Sequence, residues 1–171
     1  QFDFIEAGTG TGKSFAYLIP ALFYNNLNQV RIVVSTNTIN LQEQLINKDL
    51  VMLQRVLDFD FKAVLVKGRN NYLCLRKFKN FKKNYDNQEL EIEENLFNEL
   101  YDWKKNTESG EKSEINFQLK NSVWNQIAAE SDLCLKTSCP FYSKCYFMQA
   151  RKEVYKADIL IVNHHLLLSD A

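Results

Sequence analysis

Hydrophobic positions follow one rhythm at the two ends of this chain and another in its middle. Phe2-Asp3-Phe4-Ile5-Glu6 reads as a short strand, and from Phe15 to Asn25 apolar residues recur at helical spacing. Phe15, Leu18, Ile19, Leu22 and Phe23 form a stripe on that helix, expected to face the core, and Pro20 is expected to disturb or kink it. Val30–Val34 is a β-branched run of the kind buried in parallel sheets. Ser35–Thr38 reads as a turn with helix-capping chemistry, Ile39–Leu57 as a long amphipathic helix and Phe61–Val66 as a third strand. Alternating strands and helices predict an α/β fold with a parallel sheet.

The rhythm then changes. Between Gly68 and about Tyr146 no segment has a good strand pattern; Glu89–Lys105 and Glu114–Ala129 look helical, joined by polar Asn106–Lys112. Ala157–Val162 restores the first pattern as a fourth buried strand. The expected organisation is a partial α/β domain over residues 1–67 and 151–171, with a mainly helical insertion over 68–150. The chain opens one residue from a core strand and closes after the apolar run His164–Leu168, so it reads as a fragment of a longer protein.

Composition narrows the class. Of the 171 residues 46% are apolar, which supports a folded core, and 21 Lys plus Arg balance 21 Asp plus Glu. No apolar run approaches the roughly 20 residues a membrane helix needs, and no secretory leader pattern opens the chain. Four cysteines in such a chain point to the cytoplasm, where thiols stay reduced and serve as metal ligands more often than as disulfides.

Glu6-Ala7-Gly8-Thr9-Gly10-Thr11-Gly12-Lys13-Ser14 stands between the first strand and first helix, where a phosphate-binding loop belongs. Ala7 replaces the first glycine of the strict pattern. Gly8, Gly10 and Gly12 allow backbone torsions that let successive N–H groups wrap a β-phosphate, and the helix start adds its positive end. In such a loop Lys13 reaches the β- and γ-phosphates of ATP and Ser14 places its hydroxyl on Mg²⁺.

All four cysteines fall in the insertion: Cys74 alone, then Cys134-x4-Cys139-x5-Cys145. Zinc sites favour paired short knuckles, whereas a lone ligand with a compact trio suits a cluster held by four thiolates, such as [4Fe–4S]. Zinc and unliganded thiols are the alternatives. Tyr72, Phe141, Tyr142, Tyr146 and Phe147 are expected to form an aromatic shell limiting water and oxidant access. The segment shows few packing signals, so metal ligation is expected to supply much of its folding energy.

Around Cys74 lies a basic block, Lys67, Arg69, Arg76, Lys77, Lys79, Lys82 and Lys83, interleaved with Tyr72, Phe78, Phe81 and Tyr85. Cations track phosphates and aromatic faces stack on unpaired bases, although a solvated helix face produces the same pattern. The acidic stretch Glu89–Glu99 would face away from DNA. Ser35, Thr36 and Thr38 sit where a strand ends, the edge at which such sheets bind ligands. His164 and His165 have no carboxylate or Cys at a useful spacing, so a structural or coupling role is favoured over metal ligation.

Taken together these residues resemble the DinG/XPD family of superfamily 2 DNA helicases, bacterial DinG-like branch, over essentially the whole chain. Glu6–Ser14 is similar to motif I, and Val34–Thr38 with Leu41–Leu45 to motif Ia. Lys67–Cys74 is similar to the entry into the iron–sulfur domain, the cysteine trio has the bacterial spacing, and Ala157–Leu168 with Asn163-His164-His165 resembles the segment before motif II. The resemblance implies a P-loop motor domain with an inserted iron–sulfur domain, driven by ATP and Mg²⁺. It implies 5′→3′ movement on single-stranded DNA, opening of forked or looped DNA in repair, and a monomer. It places DNA phosphates at Ser35, Thr36 and Thr38, and the basic, aromatic block around Cys74 offers Lys67, Arg69, Tyr72, Arg76 and Lys77 as further candidate DNA contacts. Motif II and the second motor domain are not in this sequence, so this piece is expected to bind nucleotide weakly without turning it over. The competing function is a nucleotide- and DNA-binding module with a zinc or iron–sulfur site and no unwinding activity.

Overall fold

The computed structural model describes Glu6, Gly8 and residues 11–90 and 92–169. The expected strand over Phe2–Ile5 and the loop residues Ala7, Thr9 and Gly10 lie outside these. Contacts divide the chain into two units: residues up to Lys67 together with those from Val154 onward, and the intervening Gly68–Glu153.

In the first unit, helix α1 (Lys13–Asn28) precedes strand β1 (Ile32–Thr36), and strands β2 (Ala63–Val66) and β3 (Ile159–Asn163) complete a parallel sheet in the order β1-β3-β2. β3 lies central, pairing Ile32 through Thr36 on one side and Ala63 through Val66 on the other. Its Ile159 and Ile161 are fully buried against Leu18, Leu22, Leu45 and Phe61, which form an aliphatic core. The fold is α/β.

Two boundaries differ from the hydrophobic pattern. β1 begins at Ile32 rather than Val30 because α1 runs on to Asn28 and ends with Gln29 in a left-handed conformation. Buried Asn25 then donates its side-chain amide to Val30 O at 2.8 Å, holding that residue out of the ladder. The strand therefore takes in Ser35 and Thr36, which the pattern assigned to a turn. On α1, Leu18 and Leu22 are fully buried, but Ile19 and Phe23 are 37% and 43% exposed, so the expected core stripe is narrower. Pro20 sits on the exposed side and α1 passes through it as one helix.

The expected helix Ile39–Leu57 forms in three parts: α2 (Ile39–Gln44), a π-type segment (Leu45–Asp49) and α3 (Leu50–Val56). The wider π turn lets Leu45 and Leu50, five residues apart, both point inward. Asp49 is buried there and accepts from Gln44 Nε2 at 3.2 Å.

The second unit is helical: α4 (Leu75–Asp86), α5 (Glu94–Asn106), α6 (Asn121–Ile127) and α7 (Tyr146–Tyr155), the last of which runs across the boundary between the units. The hydrophobic pattern predicts neither α4 nor α7. The helix expected over Glu114–Ala129 forms only as α6. Residues 115–120 alternate Ile115, Phe117 and Leu119 with polar neighbours, an extended pattern that packs every second side chain onto the core.

The expectation of weak packing is overturned. Leu73, Phe78, Phe81, Phe97, Leu100, Trp124, Ile127 and Ala128 form a second buried core. Tyr85 stacks on Phe97 with centroids 3.7 Å apart, and Phe78, Phe81 and Tyr101 extend the near-parallel stack. Of these, Phe78, Phe81 and Tyr85, candidates for base stacking in the sequence, build the interior instead. Gly110 has φ +64°, and a Cβ there would overlap the Tyr146 ring. Two isolated antiparallel bridges, Tyr72 with Glu111 and Leu73 with Ala128, tie this core together.

Candidate functional site

Lys13 and Ser14 open α1, and Gly12 precedes them with φ 76°, a torsion that favours glycine although the space around its Cα is open. Thr11 Oγ1 donates to Gly8 O at 2.8 Å, closing the described part of the loop. A 16-residue helix thus aims its N-terminal amides at the loop, the arrangement that attracts phosphate. Ser14 is half-buried and lies near the Tyr17 hydroxyl. Burial holds the Tyr17 hydroxyl above the usual tyrosine pKa, the Ser14 hydroxyl opposes this, and the Asp49 charge adds to it.

At the carboxyl ends of β1 and β3 the hydroxyls have partners within the protein. Thr36 is buried and lies 3.4 Å from Thr38 O, to which it donates; Thr38 caps α2 by accepting from Leu41 N at 3.3 Å. Ser35 Oγ shares a 2.6 Å hydrogen bond with His164 Nδ1. Thr36 therefore offers no hydroxyl to a ligand, and capping accounts for Thr38.

Cys74, Cys134, Cys139 and Cys145 are free thiols, each half-buried, and all four line one cavity of about 40 Å³. Cys74 stands at the start of α4, tied by its N–H to Ile127 O at 2.8 Å, and the other three lie on a loop built of 3₁₀ turns, Lys136–Ser138 and Tyr142–Lys144. Arg69, Arg76, Lys77 and Lys136 line the same cavity, placing cations around thiols that ionise on binding metal. Lys136 N donates to Cys134 Sγ at 3.4 Å. Burial pushes the Cys145 thiol pKa up; the Met148 and Phe147 backbone N–H groups pull it down, and the charges of Cys74 and Cys134 add to the rise. Among the described residues no three His, Cys, Asp or Glu side chains close on one metal-ion position.

Of the expected aromatic shell, Tyr142 lines the cavity. Tyr72 and Phe147 instead pack edge to face, 5.8 Å between centroids, and Tyr146 covers Gly110. Tyr72 is 3% exposed, so it has no face to offer a base and is corrected from DNA contact to core. Burial, then the charge of and hydrogen bond to Glu111, hold its hydroxyl far above the usual tyrosine pKa.

Arg69 stacks its guanidinium 3.9 Å from the Phe147 centroid. Arg76 donates to Leu133 O, and Lys77 to Asn125 O and the Glu130 carboxylate at 2.8–2.9 Å. These two long side chains, expected on DNA, brace the segment leading into Cys134. On the opposite side of the ledger Lys79 and Lys83, one turn apart on α4, are exposed.

The sequence profile of the DEAD/DEAH box helicases matches residues 3–102, more than half of the chain. The chain belongs to the DEAD/DEAH box helicases. Within that family it is 39% identical over 167 residues to the ATP-dependent DNA helicase YoaA of Haemophilus influenzae, covering 97% of this chain and 25% of that protein. It is 35% identical to YoaA of Escherichia coli over 97% of this chain and 26% of the relative. To the ATP-dependent helicase DinG of Mycobacterium tuberculosis it is 36% identical over 98% of this chain and 28% of the relative. The chain thus spans about a quarter of the length of these helicases. No helix among the described residues is long and apolar enough to cross a membrane.

Proposed function

We propose that this chain is part of the first motor domain of an ATP-driven DNA helicase, with an inserted domain that carries a [4Fe–4S] cluster. The observation that carries this reading is the convergence of four cysteines on one cavity in a DEAD/DEAH-family chain that also has a phosphate loop. One lone cysteine with a compact trio suits a cluster held by four thiolates better than it suits the paired short knuckles of zinc sites, and all four cysteines line one cavity.

In this reading Lys13 meets the β- and γ-phosphates, the α1 N-terminus and Gly12 present backbone N–H groups, and Ser14 faces Mg²⁺. ATP turnover moves the protein 5′→3′ along single-stranded DNA. The Ser35–Thr38 turn holds DNA phosphates through its backbone and through Ser35. Lys67, Arg69, Lys79 and Lys83 follow the strand by charge, while Arg76 and Lys77 brace the cysteine loop. Cys74, Cys134, Cys139 and Cys145 would hold the cluster, and ligation by all four would tie the 3₁₀ loop to the start of α4. The named activities of the relatives, ATP-dependent DNA helicases, support the motor assignment, and forked or looped DNA met in repair is the proposed substrate.

The test uses the full-length protein on duplexes with a single 5′ or 3′ tail. ATP-dependent strand separation confined to the 5′-tailed duplex is expected. Binding of ATP and DNA without separation of either duplex would contradict the reading and favour a binding module.

A further inference from the structure

We propose that His164 and Asn163 are positioning residues for the Ser35–Thr38 turn, linking the first turn of the helix after β3 to the surface that receives DNA. This rests on the proposed DNA path. Ser35 and Thr36 of β1 pair with Val162 and Asn163 of β3 on the last rungs of the ladder, so Asn37 and His164 are the first residues that the ladder does not fix. Side chains take over. Ser35 Oγ and His164 Nδ1 lie 2.6 Å apart across the sheet edge. Asn163 donates its side-chain amide to Asn37 O at 3.4 Å and accepts from His165 N at 2.8 Å, so one side chain grips both the turn and the start of helix α8 (His164–Ser169).

Exposure decides what these bonds do. His164 is exposed, so packing does not dictate its position, and its bond to Ser35 is the contact that orients the ring. An exposed hydrogen bond contributes little to global stability but can select among the conformations of a turn. Thr36 and Thr38 already stiffen the turn from within. His164 and Asn163 add anchorage from the neighbouring strand. A displacement of α8 then reaches the Ser35 hydroxyl through His164, while Asn163 ties Asn37 to the end of β3.

The test is a double-substitution cycle in the full-length protein, read as equilibrium affinity for single-stranded DNA and as the DNA concentration giving half-maximal ATPase. His164→Phe keeps the ring and removes the nitrogen; His164→Asn retains a polar atom near the Nδ1 position. His164→Phe and Ser35→Ala should each weaken DNA binding about three- to tenfold, with the loss in the half-maximal DNA concentration rather than the maximal rate. The double variant should be no weaker than either single, and His164→Asn should return to within about twofold of the original. Thermal unfolding midpoints identify any variant that has merely lost its fold, and for His164→Phe the Asn rescue decides. Losses that multiply in the double variant, or wild-type binding by His164→Phe beside weakened binding by Ser35→Ala, would overturn the proposal. A photo-crosslinking residue at Asn37 tests the underlying DNA path separately. Crosslinking to single-stranded DNA together with wild-type affinity in His164→Phe would overturn the coupling and leave the path standing. No crosslink would overturn both.

Discussion

The two units of this chain are held together by different chemistry. The first packs leucines and isoleucines around a parallel sheet, with its candidate nucleotide and DNA residues at the ends of strands and the start of α1. The second packs stacked aromatic rings between helices and carries three of its four candidate metal ligands on a loop with no buried side chain between Glu130 and Cys145. In the first unit the site rides on an element the core already fixes. In the second, one ligand, Cys74, is fixed by the core and three are not. Metal is therefore expected to organise the loop, while the aromatic helices stand without it.

The largest test of that contrast removes a ligand. Cys134→Ser in the full-length protein should lose the iron and DNA unwinding altogether, while the helical circular dichroism signal stays close to the original because the Phe78–Phe97–Trp124 core is untouched. Collapse of helix content along with the iron would show that metal holds the whole insert, as the sequence alone had implied.

Next in size, Lys13→Ala should lower ATP turnover about 10²- to 10³-fold, the scale of losing one charge-stabilising donor at a reacting phosphate. Iron content should be unchanged. Equal loss of iron would mean that the two sites are not separable.

Leu100→Ala attacks the aromatic core itself. Leu100 is fully buried, and truncation should cost about 2–5 kcal/mol, read from denaturant unfolding of the insert. A cost well below about 1 kcal/mol would mean that this core is not what holds the insert.

The smallest effect is a pH slope. The Tyr72 pKa is raised in the fold by burial and by Glu111, so the folded state keeps its proton where the unfolded chain, with a tyrosine pKa of about 10, has lost it. Its contribution is intact below pH 10 and declines as pH rises above that. Tyr72→Phe should flatten the alkaline fall in unfolding midpoint; an unchanged slope would remove Tyr72 as the cause.

Much of this was legible in residue order. The helix that opens at Lys13-Ser14 and the β-branched runs of β1, β2 and β3 depend on local pattern, which a sequence displays directly. The misses have physical causes. β1 starts late because Asn25 reaches past the helix end to Val30, a tertiary hydrogen bond. α4 was hidden by its charge, although Leu75, Phe78, Phe81 and Tyr85 already formed a helical stripe among the lysines. Tyr72, Arg76 and Lys77 have the residue types of a DNA surface, and only the fold shows that a ring is buried and that two cations brace a loop. The Ser35–His164 bond joins residues 129 positions apart, a separation at which local pattern is silent.

The most direct measurement is the iron and acid-labile sulfide content of the anaerobically purified full-length protein, with its visible spectrum. The proposed [4Fe–4S] cluster predicts about four irons and four sulfides per chain and a brown protein whose colour is lost in Cys134→Ser. A colourless protein holding one zinc ion, or no metal, with full unwinding activity would contradict the account.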